Sequence, residues 1–178
     1  GSDGAAGTAD APLWSPQALV EALSPGQVGC FMAGTYDSSG EGIEVRTPGI
    51  TLTSAPGASV EVIGRWWIVR GADEVTISHL GLNGRNDIGQ AGGPVVNAAN
   101  TRFDDVDVTN DHTTICFILG SPEYGVAEGT VIENSRIHDC GVMPAQNHDH
   151  GIYIEDSRDV IIRNNSIYDN ADRGIQFY

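Results

Sequence analysis

Apolar residues recur along this chain in one repeating frame. In the segment 160–167 they fall at Val160, Ile162 and Ile167, with polar residues between them. The same frame returns about every 25 to 30 residues toward the N-terminus, which is typical of stacked coils that bury their apolar faces only against one another. The earlier copies are Thr130/Ile132/Ile137, Thr101/Phe103/Val108, Val75/Ile77/Leu82 and a shorter one at Ile50/Leu52.

Each repeat also contains a second apolar stretch. It reads Gly151–Ile154 and Gly174–Phe177 in the last two repeats, with Thr114–Phe117 and Pro94–Asn97 as earlier versions. Because side chains alternate across a strand, we expect the apolar residues of these stretches to face inward. Cys116, Tyr153 and Gln176 are then predicted to stack outward in one column.

The N-terminal region follows a different pattern. Ser15 precedes Pro16 and a run with helical apolar spacing that ends at Pro25-Gly26, which predicts a short capping helix. The segment 27–36 is predicted as the first strand. Residues 1–13 are small and polar, so we predict a flexible tail with a cloning remnant at its first two residues.

The order of these motifs resembles the right-handed parallel β-helix superfamily of the pectate lyases and their secreted relatives. The motifs are the capping helix, the PG turn, AGTY, GITL, VTISHLGLNG and IIRNNSIYDN. The resemblance implies an all-β, single-stranded right-handed parallel β-helix over residues 14–178, with a short N-terminal capping α-helix. It also implies turn-stacking roles for Asn134, Asn164 and Asn165, and a secreted or cell-surface protein.

The last strand ends the sequence without a C-terminal cap. A solenoid left open exposes core residues and unpaired backbone groups. We therefore expect either a missing C-terminal segment or pairing of the open end with another chain.

Charge narrows the choice of partners. The net charge is −15, and all nine basic residues are arginine. Nucleic acid and anionic membrane surfaces are excluded as main partners because both require clustered positive charge. The absence of lysine also removes a base that some polyuronate lyases use.

Polar side chains precede the second stretch in successive repeats, where loops of variable length join the strands. Since neighbouring coils lie about 4.8 Å apart, we expect these residues to converge on one ligand. The cluster consists of Asp111, His112, His148, Asp149, His150, Asp172 and Arg173.

The resemblance favours polysaccharide lyase or epimerase chemistry, in which a base removes the C5 proton of a uronate. In this interpretation Arg173 binds the carboxylate, His150 or His148 is the base, and Tyr153 donates a proton to the leaving oxygen. The predicted substrate-binding residues are Asp111, His112, Gln176, Arg85 and Trp67, the last of these as the outward member of the Trp66-Trp67 pair.

Other interpretations stay open at this point. Asp111, Asp149 and Asp172 are candidate acids for glycoside hydrolysis. Asp149 and Asp172 are candidate calcium ligands, and His112, His148 and His150 a weaker zinc-like set. A non-catalytic carbohydrate-binding or surface-structural β-helix is the alternative from another class.

The positions of the three cysteines in the repeats predict which two are bonded. Cys116 and Cys140 fall on adjacent repeats and are predicted to form a disulfide that anchors the long loop. Cys30 is predicted to be a small buried side chain.

Overall fold

The computed structural model describes residues 1–86 and 88–178. Three six-stranded parallel sheets form the walls of a β-helix, and the chain passes through one strand of each sheet per coil. Strands are numbered in chain order. Sheet 1 contains β1 (Val28–Phe31), β4 (Thr51–Ser54), β7 (Thr76–Ser78), β10 (Arg102–Asp104), β14 (Val131–Glu133) and β18 (Ile161–Arg163).

The other two sheets repeat the same order. Sheet 2 contains β2 (Gly34–Asp37), β5 (Val60–Ile63), β8 (Gly81–Asn83), β11 (Asp107–Thr109), β15 (Arg136–His138) and β19 (Ser166–Tyr168). Sheet 3 contains β3 (Ile43–Val45), β6 (Trp66–Ile68), β9 (Val95–Val96), β12 (Phe117–Leu119), β16 (Ile152–Ile154) and β20 (Ile175–Phe177). A short pair, β13 (Ala127–Glu128) and β17 (Ser157–Arg158), lies beside them.

The repeating frame of the sequence is the core of this β-helix. Ile77, Phe103 and Ile132 are register partners on successive coils, and all three are fully buried. Phe103 also packs edge-on against Phe117 of sheet 3, with ring centroids 4.9 Å apart. Burying each such side chain contributes roughly 1.5 to 3 kcal/mol, so the column stabilises the stack. The predicted parallel β-helix is confirmed.

Polar residues make the tight turn between sheets 1 and 2. Asn134 and Asn164 adopt left-handed backbone conformations, with φ of 54° and 57°, which asparagine tolerates better than most residues. The Asn165 side chain accepts the Ser135 N–H at 2.9 Å and donates to the Ile132 carbonyl at 2.8 Å. The predicted turn-stacking role of these asparagines is confirmed.

The capping helix is confirmed as α1 (Pro16–Ala22), and the Ser15 hydroxyl accepts the Ala18 N–H at 3.1 Å. Val20 is buried against the first coil. Residues 1–13 fold back on this end, where the Asp3 carboxylate accepts the N–H groups of Trp14 and Ser15. Within the described residues no helix is long and apolar enough to cross a membrane.

Two predictions for the first coil are wrong. The segment 27–36 forms two strands, β1 and β2, because the chain turns a corner between sheets 1 and 2 after Phe31. Cys30 is an exposed free thiol. The alternation places Gly29 and Phe31 inward, so Cys30 faces solvent.

The prediction of a strand at Thr114–Phe117 is also wrong by about two residues. β12 spans Phe117–Leu119, with Phe117 opposite Ile152 and Ile118 opposite Tyr153. Asp111 and His112 both have positive φ, 56° and 58°, so the turn consumes more chain than an extended segment would.

The last coil leaves part of its apolar surface uncovered. Ile175 and Phe177, register partners of Ile152 and Ile154, are 36% and 70% exposed. Tyr178 is 91% exposed.

Candidate functional site

The outward face of sheet 3 carries one continuous column of side chains. Its members, in register from the N-terminal coil, are Glu44, Trp67, Val95, Ile118, Tyr153 and Gln176. The predicted neighbours Tyr153 and Gln176 are therefore adjacent, and Trp67 faces outward while Trp66 is buried. Cys116 does not belong to this column, because it is fully buried and Ile118 occupies the place predicted for it.

A disulfide fixes the start of the long loop 141–149 beside this column. Cys116 and Cys140 are joined, with their Cα atoms 5.5 Å apart and both residues fully buried. The bond therefore ties the residue before β12 to the point where the loop leaves the next coil.

Asp149 organises the same loop from its other end. Its carboxylate accepts the N–H groups of Val142 and Gln146 at 2.8 and 2.7 Å. Burial alone would raise the pKa of Asp149, but the hydrogen bonds from Gln146 and Val142 outweigh it and lower that pKa. Both oxygens are thus used to hold the loop, which disfavours Asp149 as a catalytic acid.

His150 follows Asp149 and is only 2% exposed. Its Nδ1 atom lies 3.5 Å from Asp172 Oδ2 on the next coil and has no hydrogen-bond partner. Burial lowers the pKa of His150, partly offset by Asp172 and reinforced by Arg173 and His148. The imidazole is therefore neutral near pH 7, but little of it is open to a ligand.

Tyr153 covers His150 on the outward side. The two rings are stacked with centroids 5.8 Å apart, and the phenol remains partly exposed. Burial, followed by the charges of Glu155 and Tyr178, raises the pKa of Tyr153. The phenol consequently keeps its proton well above neutral pH.

Arg173 lies on the next coil at the edge of this pair. Its side chain is 44% exposed, and its Nη1 atom donates to Asp172 Oδ2 at 2.7 Å. The glycine before each strand is closely packed: a Cβ on Gly151 would lie 2.7 Å from the Gly174 carbonyl oxygen, and one on Gly174 would lie 3.1 Å from the Ile167 side chain. The repeated Gly-Ile is therefore set by close packing of coils, and the variable residue before it is left for function. His148 is exposed on the loop next to this group.

Within residues 1–86 and 88–178, Asp111 and His112 form no hydrogen bond or ion pair with His150 or Asp172, so their convergence on one ligand stays a prediction. Asp111 Oδ2 accepts a hydrogen bond from Asn83 at 3.1 Å and lies 3.6 Å from Arg85 Nη1. His112 bonds the Gly141 carbonyl at 3.1 Å instead. The shift of β12 toward the C-terminus leaves both residues in the turn before the strand.

A titratable network at the corner of sheets 2 and 3 was missed by the sequence reasoning. His138 contacts Asp107 at 3.0 Å and Asp139 at 2.6 Å, and it stacks on Tyr168 with centroids 5.0 Å apart. Asp139 also lies 3.4 Å from His112. The register of β11 and β15, deducible from the repeat, could have placed Asp107 and Arg136 opposite each other.

The chain is similar to known proteins in sequence pattern and in fold. A family model described as a right handed beta helix region matches residues 68–178, which is more than half of the chain. The chain belongs to the right-handed β-helix family. Among solved structures, the crystal structure of pectate lyase Pel9A superposes with a TM-score of 0.70 at 15% sequence identity.

That match covers 96% of this chain and 46% of the Pel9A chain. The chain thus spans less than half the length of that lyase, and a likeness at this identity concerns the fold alone. No curated protein gives a significant match.

The two carboxylates predicted as calcium ligands, Asp149 and Asp172, already have other partners. The Asp149 oxygens bond backbone N–H groups, and Asp172 is paired with Arg173 and faces His150. Within residues 1–86 and 88–178 no three His, Cys, Asp or Glu side chains form a group that could hold a metal ion. Dependence on calcium stays a prediction.

Proposed function

We propose that this β-helix protein modifies an acidic polysaccharide by removing the C5 proton of a uronate residue, with lyase or epimerase outcome. The observation that carries the proposal is the partly exposed Tyr153 stacked on the buried His150, with Arg173 on the adjoining coil. The fold it shares with a solved pectate lyase supports the same class of substrate.

The roles follow from exposure and charge. Arg173 presents five N–H donors, of which one is directed to Asp172, so it retains capacity to bind a uronate carboxylate. His148 is exposed on the loop and is the better-placed base, since His150 is buried. His150 positions the Tyr153 ring by stacking.

Tyr153 completes the scheme as the proton donor. In β-elimination the base takes the C5 proton, the bond from C4 to its oxygen breaks, and that oxygen receives a proton from the phenol. In epimerisation the bond from C4 to its oxygen stays intact, and the phenol donates its proton to C5 on the face opposite the base. A raised pKa suits a phenol that must hold its proton until the transfer.

One observation favours the non-catalytic alternative. Arg173 and Asp172 pair with each other, and His150 is 2% exposed, so neither Asp172 nor His150 offers a free acid or base to a ligand beside Tyr153. A carbohydrate-binding β-helix would need only the aromatic ring and the arginine.

The experiment is incubation with polygalacturonate, alginate and a neutral glucan, each with calcium and with a chelator. We expect ultraviolet absorbance of an unsaturated product, or altered uronate stereochemistry by proton NMR, from an acidic polymer only. Binding of an acidic polymer without either change would favour the alternative, and the absence of both binding and turnover would reject the proposal.

A matched pair of variants tests the base. His148→Ala is expected to lower kcat about 100-fold or more, the range typical of a lost general base. His79→Ala, which changes an exposed histidine paired with Asp105 on another corner, is expected to leave kcat unchanged. Equal rates in the two variants would exclude His148 as the base.

A further inference from the structure

Arginine pairing on this acidic chain has two exceptions. Seven of the nine arginines form an ion pair with an aspartate or glutamate. Arg65 and Arg70 form none with any carboxylate of residues 1–86 and 88–178. In a protein with net charge −15 and 24 acidic residues, an arginine without a carboxylate partner is unexpected. Both exceptions flank the same tryptophan, Trp67.

Arg65 is held against that tryptophan. Its guanidinium carbon lies 4.8 Å from the Trp67 ring centroid, a cation–π contact. Its Nε atom is buried and makes no hydrogen bond. Burial lowers the pKa of Arg65, while Glu44 and Tyr124 raise it. The result is a positioned cation whose N–H donors are not fully used.

The tryptophan itself is fixed by polar and aromatic contacts. Trp67 Nε1 donates to Asn97 Oδ1 at 2.8 Å, and Asn97 Nδ2 donates to the Gly125 carbonyl at 2.9 Å. Tyr124 meets the Trp67 ring edge-on with centroids 5.5 Å apart and is itself 50% exposed. These contacts fix the loop that carries Tyr124 to the Trp67 ring, against which Arg65 packs.

Arg70 contacts the same loop at the residue after Tyr124. A Cβ built on Gly125 would come within 2.9 Å of Arg70 Nε, so the arginine packs directly against the loop backbone. The exposed Tyr124 ring therefore belongs to a loop that packs against Arg70, and it meets the Trp67 ring on which Arg65 lies. This combination suits a ligand with a flat apolar face and a negative charge.

We propose that Arg65, Trp67, Tyr124 and Arg70 form a second binding site, which takes the carboxylate-bearing sugar of an acidic oligosaccharide. Arg65 binds the carboxylate and Tyr124 contacts the sugar ring. The identity of the ligand as a uronate rests on the proposed function, whereas the existence of an anion site does not.

The second site lies on the same outward column as Tyr153, three coils away. At about 4.8 Å per coil the separation is roughly 14 Å, so one polymer running along the axis would reach both. Val95 and Ile118 lie between them on the column, and Val95 is only 7% exposed, so the two sites do not form one continuous open surface. The site therefore contributes to binding of a long substrate and not to the chemical step.

The experiment measures binding of trigalacturonate by calorimetry, with neutral maltotriose as the uncharged probe. Arg65→Gln is expected to weaken trigalacturonate binding about tenfold or more, the effect of losing a charge-assisted hydrogen bond. Arg136→Gln, which removes the same charge from the outward face of sheet 2, is expected to change it less than about twofold. Maltotriose is expected to bind far more weakly than trigalacturonate.

Arg65→Lys separates a loss of binding from a folding defect, since it keeps the charge and loses only the forked geometry of the guanidinium. We expect this variant to bind trigalacturonate with partly weakened affinity. Wild-type affinity in Arg65→Gln, or equal binding of the neutral trimer, would overturn the proposal. On any polymer that turns over, Arg65→Gln should raise KM with kcat unchanged. Loss of binding in Arg65→Gln without any turnover by the wild type would retain the second site and reject only the proposed function.

Discussion

His150 is buried, and its Nδ1 atom faces Asp172 across 3.5 Å without a hydrogen bond. Such a group resists protonation because the charged form loses its hydration. Its pKa is lowered from 6.5, chiefly by burial. The folded protein therefore binds this proton less readily than the unfolded chain.

This difference predicts a dependence of stability on pH. Because the unfolded chain takes up the proton first, the stabilising contribution is complete above pH 6.5 and falls as the pH drops below it. His150→Gln removes the titration, so its free energy of unfolding should fall less steeply just below pH 6.5. Urea denaturation at several pH values measures it, with His79→Gln as the control.

The same slope in His150→Gln and the wild type would contradict this account of His150. Asp149 does not confuse the test, because its pKa is lowered below 3.8 and its contribution is lost only at more acidic pH.

At the scale of one element, the register of β12 is a feature that the sequence did not determine. Ile115, Phe117 and Leu119 alternate with other residues, so two registers two residues apart bury equally apolar sets. The structure uses the later register, with Cys116 buried in the disulfide and the turn lengthened by the left-handed Asp111 and His112. Backbone conformations of this kind leave only a weak trace in a single sequence.

The disulfide makes a quantitative prediction for this element. Its partners are 24 residues apart, and closing a loop of that size contributes about 3 kcal/mol by the chain-entropy model. Replacing both Cys116 and Cys140 with alanine should lower the free energy of unfolding by about that amount. Denaturant unfolding measures the change.

Cys30→Ser provides the control, because the Cys30 thiol is exposed and free. We expect it to shift stability by less than about 0.5 kcal/mol. If the double alanine variant unfolds at the same denaturant midpoint as the wild type, the disulfide does not stabilise the β-helix.

At the scale of the whole molecule, the sequence predicted the stack of coils better than the site. The repeat reflects core packing directly, so the apolar pattern alone assigns residues such as Ile77, Phe103 and Ile132 to one column. The site depends on loops. Burial of His150 and the use of Asp149 by its own loop follow from how that loop folds, and the packing of Arg65 on Trp67 depends on side-chain conformation within one coil.

The most direct test of the proposal compares two tyrosines that each stack on a histidine. Tyr153 stacks on His150 on the outward column of sheet 3, and Tyr168 stacks on His138 on sheet 2. The measurement is the rate of unsaturated product formation, or of uronate epimerisation, from an acidic polymer by Tyr153→Phe and Tyr168→Phe. The account predicts a loss of about 100-fold or more in kcat for Tyr153→Phe and an unchanged rate for Tyr168→Phe. Full activity in Tyr153→Phe would contradict it.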